Sequence, residues 1–251
     1  MSIAQIRNQM FDLGLHGMIA NLESVVDQYN KEELDIVGLL EQLTQKEAQY
    51  RIRIATKMRV IRSKIRLGAS LEDFDFTLSR GLTKAQVREL ATLEWCSQGK
   101  PLILVGPTGV GKTYLARALG ILSCEKGKTS YFLTITDFME NQKIARQTNG
   151  YIKFRDKLTR PDILILDDFG MRKFTSQEAE DLRDIIEQRS YGKSTVITTQ
   201  LPLAHWGEVI GDPVILEALV DRLDPPGITF ELKGTSYRRK SKAIANAEIS
   251  A

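Results

Sequence analysis

The stretch GPTGVGKT, residues 106–113, follows the apolar run PLILV and precedes YLARALGILSCEKG. It fills G-x-x-x-x-G-K-[ST] with Gly106, Gly111, Lys112 and Thr113, in the order strand, loop, helix start that phosphate binding needs. Glycines let backbone N–H groups turn inward around phosphate oxygens without side-chain obstruction. The helix opening at Lys112 adds the positive end of its dipole. The expected nucleotide site is therefore Gly106, Pro107, Thr108, Gly109, Val110 and Gly111, continuing into Lys112, Thr113 and Tyr114. Lys112 reaches the terminal phosphates, and the Thr113 hydroxyl helps hold Mg2+. A dinucleotide loop needs a different glycine spacing and is set aside.

A second element supports a triphosphate. PDILILDDFG, residues 161–170, is an apolar strand ending in two carboxylates. Asp167 is expected to ligate the magnesium, as the strand-end acid does in P-loop enzymes. Asp168 then stands where a carboxylate polarises an attacking water. Both point to nucleoside triphosphate hydrolysis.

Outward from this centre, five short apolar runs (PLILVG, TSYFLTI, DILILDD, STVITTQ and GITFEL) are separated by helical segments. Runs that barely alternate suit a parallel sheet buried on both faces, so the fold class is α/β. The N-terminal part reads differently. Ile6, Met10 and Leu13, then Met18, Leu22 and Val25, recur at helical spacing, with Gly14 and Gly17 breaking or bending the run. A second helical stretch opens near Asp35 and can run to Leu67, with Tyr50, Ile54, Met58, Ile61 and Ile65 forming one apolar stripe, a packing surface within the N-terminal domain or against a neighbouring subunit. The expected organisation is a helical N-terminal domain over 1–67, a connector over 68–82 and a nucleotide-binding domain over 83–251. Phe74 and Phe76 pack the connector onto that domain, and Thr83 with Gln86 caps its first helix. His205 and Trp206 read as packing after the fourth apolar run.

The 251 residues carry a net charge of only +3, but the charge is unevenly spread. Residues 51–66, RIRIATKMRVIRSKIR, contain no carboxylate. Arg51, Arg53, Lys57, Arg59, Arg62, Lys64 and Arg66 repel one another unless an anion neutralises them, and a phosphate backbone is the natural partner. No apolar run is long enough to span a bilayer, and no secretory pattern opens the chain, so a cytoplasmic location without membrane contact is expected. Cys96 and Cys124 lack metal or redox spacing and read as buried free thiols.

The order of phosphate loop, double-Asp strand, TVITTQLP, LVDRLDPPGITFEL and SYR resembles the AAA+ ATPases. Within them the chain is similar to the IstB-like family of transposition helpers, relatives of DnaC-type helicase loaders. The resemblance covers essentially the whole chain, including the N-terminal LGLHGMIANLE. It implies an AAA+ P-loop core that uses ATP and Mg2+. It places Gln200 at the polar sensor position, where most AAA+ proteins have Asn. Arg222 matches the finger that enters a neighbouring subunit's site, and Arg238 a second sensing arginine. It also implies a homo-oligomer assembled on double-stranded DNA with ATP, and a transposase partner. A helicase loader, a small-molecule kinase and a non-hydrolysing ATP-gated scaffold are the alternatives.

Overall fold

The structure, a computed structural model, describes residues 2–74, 81–224 and 227–234. The chain divides into two compact units, between Met58 and Arg59.

The first unit contains α1 (Ile3–Asp12), α2 (His16–Asn30) and the greater part of α3 (Ile36–Arg62). Ser2 and Gln5 form a capping box at the start of α1. Gly14, at φ +69°, lies in the break before α2. Gly17 has another role. A Cβ there would lie 2.6 Å from the Lys46 carbonyl and the Tyr50 Cβ, so its absence lets α2 and α3 touch. Leu22, Val25 and Leu43 form the small core, with Met10, Met18 and Leu39 packed against it.

Glu47 is buried here and accepts from the Gly17 and Met18 amides at 2.7 and 3.2 Å, satisfying donors that have no partner within α2. Arg51 donates to the same carboxylate at 2.7 Å. The basic run, which holds no carboxylate of its own, therefore has an acid one turn upstream.

The second unit begins at Arg59 and contains α4 (Lys84–Thr92) and α5 (Glu94–Ser97). It continues with β1 (Leu102–Val105), α6 (Lys112–Glu125), β2 (Ser130–Thr134), α7 (Ile135–Gln147) and α8 (Tyr151–Thr159). Then come β3 (Ile163–Phe169), α9 (Ser176–Arg189), β4 (Ser194–Thr199), α10 (Gly207–Ile210), α11 (Pro213–Leu223) and β5 (Ile228–Glu231). The strands pair in parallel in the order β2-β3-β4-β1-β5. All five apolar runs became strands. Side chains alternate across the sheet: Ile103, Leu164, Leu166 and Ile197 enter one apolar layer, and Leu102, Leu104, Ile163, Ile165 and Val196 the other. Both faces are covered, which is why the runs carry so few polar residues.

Residues 59–74 follow α6 along its length, in the opposite direction. Arg59 Nε donates to the Cys124 carbonyl at 2.9 Å near the end of the helix. Ile65 packs where Gly120 lacks a side chain. Ser70 exchanges two backbone hydrogen bonds with the Tyr114 hydroxyl, at 3.1 and 3.0 Å, in the first turn. Phe74 is buried beyond it, while Phe76 lies outside the described residues. The expected stripe is mostly unpacked: Ile54, Met58 and Ile61 are exposed, and only Ile65 reaches a core.

The Thr83–Gln86 capping box is present as expected, and Thr134–Asp137 and Thr175–Glu178 add two more. Trp206 is fully buried against Phe169, at 4.2 Å between ring centroids. His205 differs from its expected packing role. It is exposed and pairs with Glu208 at 2.8 Å. Cys96 and Cys124 are buried free thiols, and burial pushes both thiol pKa values up.

The Glu47 carboxyl is held below its ordinary pKa of 4.5, first by Arg51 and then by the α2 amides, against the opposing effect of burial. Its contribution to stability is therefore complete above that value and is lost as pH falls through the depressed one. Glu47→Gln should cost about 1 kcal/mol at neutral pH, the Arg51 side being solvent-screened. Amide exchange over residues 16–50 should quicken in the variant at pH 7, with the gap to the wild type closing in acid.

Candidate active site

The phosphate loop lies at the carboxyl ends of β1, β3 and β4, where open α/β sheets place their ligands. Gly106 has φ +152°, and a Cβ there would lie 2.2 Å from the Leu232 carbonyl. That carbonyl cannot retreat, because the Leu232 amide donates to Val105 O at 2.7 Å. Only glycine fits. Gly109 and Gly111 are also in the left-handed region, and Gly111 precedes the first turn of α6.

Lys112 is buried, and its Nζ donates to the Gly106 and Pro107 carbonyls at 2.7 and 2.9 Å. Burial lowers its pKa from the usual value, while Asp168 and Asp167 act in the opposite direction. Thr113 Oγ1 donates to Asp167 Oδ1 at 2.8 Å, joining the loop to the acidic strand end. Thr198 Oγ1 donates to the same oxygen at 2.5 Å. Asp167 is 2% exposed. Burial pushes its carboxyl above the ordinary range, and the hydroxyls of Thr198 and Thr113 pull it part of the way back.

The two adjacent acids diverge because β3 carries a bulge. Leu166 pairs with Ile197 and Phe169 with Thr199, so Asp167 and Asp168 together oppose one residue, Thr198. Asp168 takes φ +59°, and its amide donates to Thr198 Oγ1 at 3.1 Å. Asp167 is thereby buried, while Asp168 is exposed in the cleft. Thr198, which the sequence reading passed over, fixes both.

The cleft encloses about 1060 Å³ and is lined by Thr108, Gly109, Gly111, Lys112, Thr113, Tyr114, Asp167, Asp168 and Gln200 from the expected set. Gln200 is exposed there, its Nε2 3.4 Å from Met171 Sδ. Val110 instead turns its side chain into the core. Arg222, in the last turn of α11, is not among the lining residues. Its Nε donates to Glu187 Oε2 at 2.7 Å and its Nη1 to Asp221 Oδ2 at 2.5 Å. Arg238 lies outside the described residues.

The seven basic residues of the 51–66 stretch are not one surface. Arg51 pairs with Glu47, and the Arg53 guanidinium lies 5.6 Å from the Tyr50 ring centre. Lys57 and Arg62 are exposed, and Arg59 is half-buried on Cys124. Lys64 and Arg66 line the phosphate cleft itself. Arg117, one turn after Thr113, joins them there, a position that helical spacing from Thr113 would have revealed.

The IstB-like ATP binding protein family matches residues 8–245. The chain belongs to this family. An insertion sequence ATP-binding protein of Sinorhizobium fredii is 32% identical over 232 residues, covering 92% of this chain and 94% of that one. The insertion sequence IS21 ATP-binding protein of Pseudomonas aeruginosa is 33% identical over 225 residues, 90% of this chain and 85% of the relative. Among solved structures, the DnaC helicase loader superposes with a TM-score of 0.51 at 26% identity, over 59% of this chain and 87% of the other. The replication initiator DnaA bound to AMPPCP and single-stranded DNA reaches 0.57 at 18% identity, over 74% and 57%, a likeness of fold. The IstB-like chain is thus an ATP-binding member of the AAA+ P-loop ATPases. Among its described residues no helix is long and apolar enough to cross a membrane.

A carboxyl whose pKa rises on folding costs stability wherever it is ionised, so Asp167 weighs against the native state at pH 7. Asp167→Asn keeps an oxygen for both threonine hydroxyls. Calorimetry should find its unfolding midpoint above that of the wild type at pH 7, the gain fading as pH is lowered toward the ordinary carboxyl range.

Proposed function

We propose that the chain hydrolyses ATP as a helper of DNA transposition, assembling in several copies on duplex DNA and acting on a partner transposase. The observation that carries hydrolysis is the Thr113–Asp167 hydrogen bond beside Asp168 on its bulge, at the mouth of a glycine loop. Family membership and the insertion-sequence relatives support the biological setting.

Each residue then has a task. Lys112 neutralises the terminal phosphates, and the loop amides hold them in place. Thr113 and Asp167 would hold Mg2+, an ion that suits one carboxylate, one hydroxyl and substrate phosphates better than a cage of protein ligands. Bound there, the ion would offset the charge that develops on the phosphate oxygens. Asp168 orients a water against the γ-phosphorus and accepts its proton, and the products are ADP and phosphate. Gln200 steadies that water, and Arg222 of a neighbouring copy completes the charge stabilisation. The division of labour follows the expected domains: residues 1–67 contact DNA or partner, and 83–251 bind and hydrolyse ATP. Arg53, Lys57 and Arg62 are the duplex contacts with the most freedom to reach phosphates.

Sedimentation with duplex or single-stranded DNA, in ATP or ADP, tests the assembly. A large complex is expected only with duplex and ATP. Preference for single strands would favour the helicase-loader alternative, and a monomer under every condition would overturn the proposal. Arg222→Ala should lower DNA-stimulated hydrolysis by about 10³-fold while the isolated chain still binds ATP. Asp168→Asn should abolish turnover, whereas a scaffold that never hydrolysed ATP would lose nothing. Replacing Lys57 and Arg62 by glutamine should reduce the slope of log binding constant against log salt by about 0.9 for each phosphate contact removed.

A further inference from the structure

The phosphate cleft holds more positive charge than its loop requires. Besides Lys112, it is lined by Lys64, Arg66 and Arg117. Among the described residues, the side chains of Lys64 and Arg66 make no ion pair or hydrogen bond. The Arg117 guanidinium lies 4.8 Å from the Phe132 ring centre, and its Nε has no hydrogen-bond partner. Asp73, Asp137, Asp167 and Asp168 line the same cleft, but among the described residues none of them is ion-paired with these cations. Asp167 is bound by two threonine hydroxyls, and Asp137 caps α7 through Thr134.

Nor are these cations on a loose segment. After α3 the chain turns at Lys64, φ +60°, and is pinned on either side of it. Ser63 O accepts from the Phe132 amide at 2.8 Å, Ile65 is buried against Gly120, and Ser70 is tied to Tyr114. Lys64 and Arg66 are thereby presented at the cleft wall. That placement separates them from the rest of the basic run, with which the sequence grouped them.

The opposite requirement exists at Arg222. Its guanidinium is held by Glu187 through Nε and by Asp221 through Nη1. An arginine that enters a neighbour's cleft brings both carboxylates with it. Excluding water from them there is costly unless cations receive them, and Arg222 cannot serve a phosphate fully while both acids occupy its donors.

We infer that Lys64, Arg66 and Arg117 receive Glu187 and Asp221 of a second copy of this chain, freeing the Arg222 guanidinium of that copy for the bound triphosphate. Assembly is then an exchange of ion pairs. Contacts made within one chain before docking are replaced by contacts between chains after it, and the Nε and Nη1 donors that the two acids hold are released at the interface. The inference rests on the reading of Arg222 as a finger acting in trans. It assigns Lys64 and Arg66 to the contact between copies and not to DNA.

The test uses two double variants of the full chain with duplex DNA and ATP. Lys64→Glu with Arg66→Glu reverses the cleft wall, and Glu187→Lys with Asp221→Lys reverses the finger side. Each alone should lower ATP-dependent assembly at least about tenfold, by repulsion at every interface. Mixed in equal amounts, they can alternate so that every interface joins opposite charges, reversed at one and native at the next. Sedimentation should show the large complex restored. Binding of a fluorescent ATP analogue by each variant alone reports that its fold and nucleotide site are intact.

A mixture that assembles no better than either variant overturns the inference, as does a neutral Lys64→Gln, Arg66→Gln chain whose isolated form loses nucleotide affinity tenfold. In the second case the cations serve the phosphates of their own chain. Arg222→Ala separates the two levels. If it leaves hydrolysis unchanged, the finger reading itself fails. If it abolishes hydrolysis while the mixture stays inactive, only the ion-pair exchange fails.

Discussion

One oxygen atom holds the head of the sheet together. Asp167 Oδ1 accepts from Thr113 on the phosphate-loop helix and from Thr198 on the neighbouring strand, so α6, β3 and β4 meet at a single buried carboxylate. The arrangement is electrostatically expensive, since burial disfavours the charge, and two hydroxyls repay only part of that cost. A purely structural core would not place a carboxylate there. Thr198 extends the network by accepting from the Asp168 amide, which secures the bulge and turns the second acid outward. Two neighbouring residues of the same chemistry thus acquire opposite surroundings from one irregularity in strand pairing.

The same helix that carries Thr113 is flanked by the segment leading from α3. Contacts at Cys124, Gly120 and Tyr114 tie residues 59–74 to the last turn, the middle and the first turn of α6. Each uses a different device: a guanidinium on a helix-end carbonyl, a side chain seated against a glycine, and a hydroxyl exchanging two hydrogen bonds with one residue's backbone. Tyr114 follows Thr113 directly. The segment is therefore joined to the helix within one residue of Thr113.

Much of this was legible in the linear chain, for identifiable reasons. The strands were visible because a parallel sheet covered on both faces excludes polar residues from its runs. The phosphate loop was visible because its glycines answer backbone constraints, such as the Leu232 carbonyl beside Gly106, that no other residue satisfies. The acid pair was visible at a strand end. The Thr198 role was not, since a threonine in an apolar strand looks like any other β-former until its partner strand slips by one residue. The apolar stripe read along α3 holds as a period, but within one chain Ile54, Met58 and Ile61 of it stay uncovered. Periodicity reports which residues share a side of a helix, and says nothing of what covers that side.

The sequence by itself determined the α/β class, the strands and the phosphate loop with its two acids, because these depend on local spacing and on backbone sterics. Tertiary structure alone decided how the charges are apportioned. It gave Arg51 to Glu47, Arg59 to a helix-end carbonyl, Lys64 and Arg66 to the phosphate cleft, and Arg222 to two acids of its own surface. Charge acts through space over distances that chain order does not encode, so residues of a single basic run were divided among three surroundings by the fold.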